Sequence, residues 1–118
     1  MNLKLPDWAE KHLEKMYEVG KLNLKMNVYN ESLLRMKAAP LLTKIATSMK
    51  DKKDGSLKPK DRKMFMYVGH DSTVVALLDA LKVWNMKIPF YSSMVMVELH
   101  EDPKGWNVQV KINDIKNC

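Results

Sequence analysis

The run Met64-Phe65-Met66-Tyr67-Val68 is apolar at every position and never alternates with polar residues. A strand from Lys63 to Val68 would have no face to give to water. It needs cover on both faces, as in a parallel sheet flanked by helices. Gly69, His70 and Asp71 follow at once, then Ser72-Thr73-Val74-Val75-Ala76-Leu77-Leu78, which reads as a helix from about Ser72 to Trp84. His70 and Asp71 are thus expected at the carboxyl end of a buried strand, facing a helix start. The free amides and positive dipole end of such a start favour an anion, and open α/β sheets place ligands at this junction. Two plainer readings stand beside this one: Asp71 as the N-cap of the helix, and His70 as a histidine satisfied by backbone bonds near the core.

The flanking segments supply helices and a hairpin. Pro6-Asp7 opens a helix with Asp7 as N-cap and with Trp8, His12, Leu13, Met16 and Tyr17 at near-helical spacing. Gly20 and the residues up to Asn30 blur its end. A second helix is predicted from about Ser32 to Lys50, where Leu33, Leu34, Leu41, Leu42, Ile45 and Met49 can share a face; Pro40 should kink it or mark its real start. Lys52 to Ser56 reads as a surface loop. After the break at Ile88-Pro89-Phe90, Ser92 to Leu99 and Trp106 to Ile112 form two strands. Asp102-Pro103-Lys104-Gly105 is turn chemistry for an antiparallel hairpin.

The expected class is α/β, with helices packed on an incomplete sheet and a C-terminal antiparallel hairpin. At 118 residues the chain suits one domain rather than two. It divides into a helical part (1–50), a strand–helix unit carrying His70-Asp71 (62–84) and the hairpin (92–113). One doubly covered strand plus a hairpin lacks the neighbouring strands that a two-sided sheet requires, which implies a missing half.

Composition narrows the function classes. The net charge of +6 comes from scattered Lys and Arg. The denser stretch from Lys50 to Lys63 is interrupted by Asp51, Asp54 and Asp61 and holds no aromatic residue for base stacking, so nucleic acid is not the expected partner. The longest strictly apolar stretch, Val74 to Leu78, is far too short to span a bilayer. The opening residues lack a signal-peptide pattern, so the protein is expected to be intracellular or to have its natural beginning elsewhere. Cys118 is the only cysteine, which leaves no internal disulfide and no multi-cysteine zinc site.

Leu5-Pro6-Asp7-Trp8-Ala9, then Tyr67-Val68-Gly69-His70-Asp71-Ser72-Thr73-Val74, Leu78 to Asn85, Pro89-Phe90-Tyr91-Ser92-Ser93 and Val97-Glu98-Leu99 together resemble the C-terminal part of the histidine acid phosphatases, nearest the animal lysosomal, prostatic and insect-venom type. The resemblance implies a partial histidine-phosphatase (phosphoglycerate-mutase-like) fold and two-step hydrolysis of a phosphomonoester without a metal or other cofactor. In that family a histidine of an Arg-His-Gly-X-Arg-X-Pro motif attacks phosphorus while arginines hold the phosphate oxygens. By match of motif, His70 would contact the phosphate and Asp71 would donate the proton to the leaving alcohol.

The physical logic suits these roles. An alkoxide leaves poorly, and a carboxyl within hydrogen-bond reach of the ester oxygen lowers the barrier by protonating it. Cationic groups around the equatorial oxygens stabilise the developing charge.

The sequence holds no Arg-His-Gly. Arg35 and Arg62 are its only arginines, and His12 and His100 have none of the motif around them. The resemblance therefore implies a phosphatase fragment, cut at both ends or a shortened product, and inactive alone. It also implies secretion or a lysosomal location, and a homodimer for the full-length family. The alternative is a non-catalytic remnant that binds an anion or a partner. A metal-dependent phosphohydrolase built on a His-Asp pair would need further His and Asp ligands that this chain does not supply.

Overall fold

The computed structural model describes residues 4–113; Cys118 lies outside them. Three helices, α1 (Asp7–Met26), α2 (Glu31–Lys53) and α3 (Asp71–Ala80), precede strands β1 (Met94–Asp102) and β2 (Gly105–Asn113). This mixed α/β arrangement of helices and one antiparallel hairpin agrees with the expected class.

The helix boundaries follow local chemistry. Pro6, not Asp7, stands at the N-cap of α1: its carbonyl accepts the amides of Ala9 and Glu10 at 2.8 and 3.0 Å. Asp7 is instead the first helical residue, where its charge suits the dipole. The helix continues through Gly20 to Met26. At α2 the Asn30 side chain accepts the Leu33 amide at 2.9 Å, so the helix begins there and carries Pro40 in its interior rather than starting at it. Its end lies beyond the expected Lys50, closed by bonds from Gly55 to Lys52 and from Ser56 to Asp51. Gly55 has a φ of 71°, the left-handed conformation that this closing motif requires.

The same motif ends α3 at Ala80, short of the expected Trp84. Lys82 and Val83 donate to Asp79 and Leu78 at 3.0 and 2.9 Å. Here the left-handed position is held by Lys82, with a φ of 58°. The turn brings Trp84 onto the core, and its indole donates to the Lys87 carbonyl at 2.9 Å.

The core is small. Leu24 from the end of α1, Val28 from the turn after it, Ala38 from α2 and Val75 and Ala76 from α3 are buried together, with Leu34, Ala80, Trp84 and Ile88 packed around them. Lys25 reinforces the joint, 3.4 Å from Asp79 and over the Trp84 ring. The molecule extends over 58 × 36 × 26 Å with a radius of gyration of 17.8 Å, against about 13.5 Å for a compact domain of this length.

The expected buried strand at 63–68 is not buried and not a strand. Residues 63–69 form no helix, strand or turn, and among the described residues their backbone pairs with no other segment. Phe65 and Tyr67 lean toward the molecule, with Arg62 over one ring and Lys44 over the other. Met64, Met66 and Val68 point away and are 71%, 76% and 95% exposed. A strand exists only as a member of a ladder, and the described residues offer this segment no neighbour.

The hairpin forms as expected, in the register Val95↔Ile112, Val97↔Val110, Leu99↔Val108. Asp102 organises the turn, accepting from the Lys104 amide at 2.8 Å and from Asn107 at 2.9 Å. Directly paired residues share a face, so these six apolar side chains form one side. Met96, Lys111, Glu98, Gln109, His100 and Asn107 form the other.

Candidate active site at the start of α3

Gly69 sets the approach to the site. A Cβ at this position would lie 3.1 Å from the Thr73 Cβ, so a larger residue before His70 would press on the first turn of α3. His70 is the N-cap residue in extended conformation (φ −91°, ψ 169°), and its carbonyl accepts the Thr73 and Val74 amides at 3.0 and 3.1 Å. Asp71 is therefore the first helical residue rather than the N-cap. Its Oδ1 accepts the Ser72 amide at 2.6 Å.

Both side chains are exposed, which removes the reading of His70 as a histidine near the core. Among the described residues no side chain pairs with the His70 ring. The helix beneath is anchored, because Val75, Ala76, Leu77 and Leu78 are buried and Val75 is fully so. An imidazole and a carboxylate thus stand at the open end of a fixed helix whose dipole is positive there.

Neither arginine joins them: Arg35 faces Glu31 at 3.5 Å and Arg62 lies over Phe65. His12 is exposed on α1, and His100 lies on β1 at 3.0 Å from Glu98. No group of His, Cys, Asp or Glu among the described residues could hold a metal, and no helix there is long and apolar enough to cross a membrane. A cleft of about 550 Å³ opens elsewhere, between α1, α2 and the far end of α3, lined by Val28, Leu34, Ala38, Lys25, Arg35 and Lys82.

Sequence reasoning missed the cluster on the polar hairpin face. Glu98, about a third exposed, accepts from Lys111 at 2.8 Å and contacts His100 at 3.0 Å. The signal was the strand spacing, since Glu98 and His100 two apart share a face. The Lys111 bond, then the His100 bond, hold the Glu98 carboxyl below its ordinary value of 4.5. A carboxyl whose value is lowered by folding stabilises the fold in its ionised form. That contribution is complete above the unfolded value and is lost as pH falls through the lowered folded value. Hydrogen-exchange protection across β1–β2 should therefore decline in acid in the native chain, and Glu98→Gln should remove that part of the decline. Equal acid dependence in both chains would contradict this role.

The family model described as histidine phosphatase superfamily (branch 2) matches residues 7–113. The chain is 33% identical to the prostatic acid phosphatase of Rattus norvegicus over 114 residues, covering 92% of this chain and 29% of that protein. It is 30% identical to the venom acid phosphatase of Apis mellifera over 100 residues (83% and 26%). A putative acid phosphatase of Caenorhabditis elegans is 30% identical over 101 residues (85% and 24%). The matched stretch is the C-terminal portion of these relatives, and the chain spans between 24% and 29% of their length.

Proposed function

Because the chain belongs to branch 2 of the histidine phosphatase superfamily, we propose that it supplies the phosphate-contacting and proton-donating part of an acid phosphatase site, acting on phosphomonoesters outside the cell or in lysosomes. The observation that carries this reading is the placement of His70 and Asp71 at the exposed start of a core-anchored helix. His70 contacts a phosphoryl oxygen beside the positive end of α3. Asp71, one residue on, protonates the ester oxygen of the leaving alcohol.

The attacking histidine and the arginine clamp are not encoded in these 118 residues. Covalent phosphoryl transfer needs its nucleophile, so the chain alone binds phosphate without turning a substrate over. No metal or other cofactor enters the scheme.

Titration of the full chain with inorganic phosphate, followed through backbone amide shifts, tests the reading. Saturable shifts centred on Gly69 to Val74, reduced in His70→Ala, are the expected result. Shifts centred on the Lys25, Arg35 and Lys82 cleft, or none at all in the folded chain, would count against it.

A further inference from the structure

The cleft at the far end of α3 has no part in the phosphate chemistry. Its volume, about 550 Å³, lies within the range of about 300–1000 Å³ usual for small-molecule sites. Val28, Leu34, Ala38 and Leu42 make an apolar floor, with Val28 and Ala38 buried and the two leucines half-buried. The charged groups stand around it.

Two of the three cations there are already engaged. Lys25 lies 3.4 Å from Asp79, and Arg35 lies 3.5 Å from Glu31. Lys82 is different, because among the described residues no carboxylate or carbonyl pairs with its ammonium. Its backbone is also held in the left-handed region, at a φ of 58°, where a Cβ is unfavourable and glycine is the usual residue. A lysine at this position gives up part of the stability of the α3 stop. In return it adds one uncommitted positive charge beside an apolar floor.

These two features define the complementary ligand. An uncharged apolar molecule would leave the ammonium unused, and inorganic phosphate has nothing to lay on the floor. A dianion would meet the Asp79 and Glu31 carboxylates that line the same cleft. A single negative charge on an unbranched alkyl chain fits both the floor and the free cation. We propose that the cleft binds a medium-chain fatty carboxylate, with its chain on the apolar floor and its carboxylate accepting hydrogen bonds from the Lys82 Nζ. This site is distinct from His70-Asp71, since α3, ten residues long and so about 15 Å, separates them.

The test titrates the full chain with sodium decanoate below its aggregation threshold, followed by calorimetry and backbone amide shifts. Saturable one-to-one binding is expected, with shifts centred on Leu34 to Ala39 and on Lys82. Octanoate, shorter by two methylenes, should bind about 10-fold more weakly. Decyltrimethylammonium, with the same chain and the opposite charge, should not saturate the cleft. Lys82→Gly should weaken decanoate binding by about 5-fold or more, the loss of one ion pair at a wet surface. Its thermal midpoint should hold or rise, because glycine relieves the left-handed turn. Ala39 is exposed and lines the cleft, so Ala39→Phe should fill it and abolish binding while leaving the helix content unchanged.

Undiminished affinity in either variant, equally tight binding of decyltrimethylammonium, or no binding by the folded chain would overturn the proposal. Shifts centred on 63–69 or on the apolar hairpin face would do so too. A loss of affinity in Lys82→Gly accompanied by a fall in its thermal midpoint would assign Lys82 to the helix stop and likewise overturn it.

Discussion

Asp71→Asn, placed in a covalent chimera in which this chain replaces the matched stretch of the Rattus norvegicus prostatic acid phosphatase, should lower kcat for alkyl phosphates by about 10²–10⁴-fold, the usual contribution of a positioned general acid. The loss should be much smaller for an aryl phosphate such as p-nitrophenyl phosphate, whose leaving group needs little protonation. This contrast separates a proton donor from a residue that only shapes the helix start. Asn can keep the bond that Asp71 makes to the Ser72 amide, so α3 should be unaffected. His70→Ala should act differently, lowering turnover of both substrates together, because a phosphate contact stabilises charge regardless of the leaving group. A leaving-group dependence that follows His70 instead of Asp71 would exchange the two roles.

The second large effect concerns the platform beneath the pair. Leu24 is buried where α1 meets α3, and Leu24→Ala should cost about 2–5 kcal/mol through lost transfer and cavity terms. Small domains hold only about 5–15 kcal/mol in all, and this extended molecule buries few side chains completely. The full chain carrying Leu24→Ala should therefore lose its cooperative thermal transition, together with the near-ultraviolet circular dichroism of Trp84, which packs on the same cluster. Substituting exposed Met36 should change stability by no more than about 0.5 kcal/mol. An unchanged melt in Leu24→Ala would place the stabilising contacts elsewhere.

What the sequence made legible was mostly local. The hairpin was readable because Asp102 to Gly105 carries its own turn bonds, and alternating apolar positions fix the register once the turn is set. The start of α3 was readable to within a residue. Its end was not, because the left-handed position that closes it is held by Lys82, without the usual glycine. Asn30 was a visible cap overlooked beside the more conspicuous Pro40.

The segment 63–69 divides the same way. Its composition states that both faces want cover, but whether a ladder forms depends on strands that these residues do not include. For the site, the motif picked out His70 and Asp71. Their exposure, and the shift of the N-cap from Asp71 to His70, depend on how Gly69 turns against Thr73, which spacing alone does not reveal.

The most direct measurement compares hydrolysis of a chromogenic phosphomonoester at acid pH by the purified 118-residue chain and by the covalent chimera. The expected result is no turnover by the chain and clear turnover by the chimera, with the alkyl phosphate reaction removed by Asp71→Asn. Robust turnover by the chain alone, with its alkyl phosphate reaction lost in Asp71→Asn, would contradict the half-site. So would a folded, active chimera in which neither His70→Ala nor Asp71→Asn changes kcat.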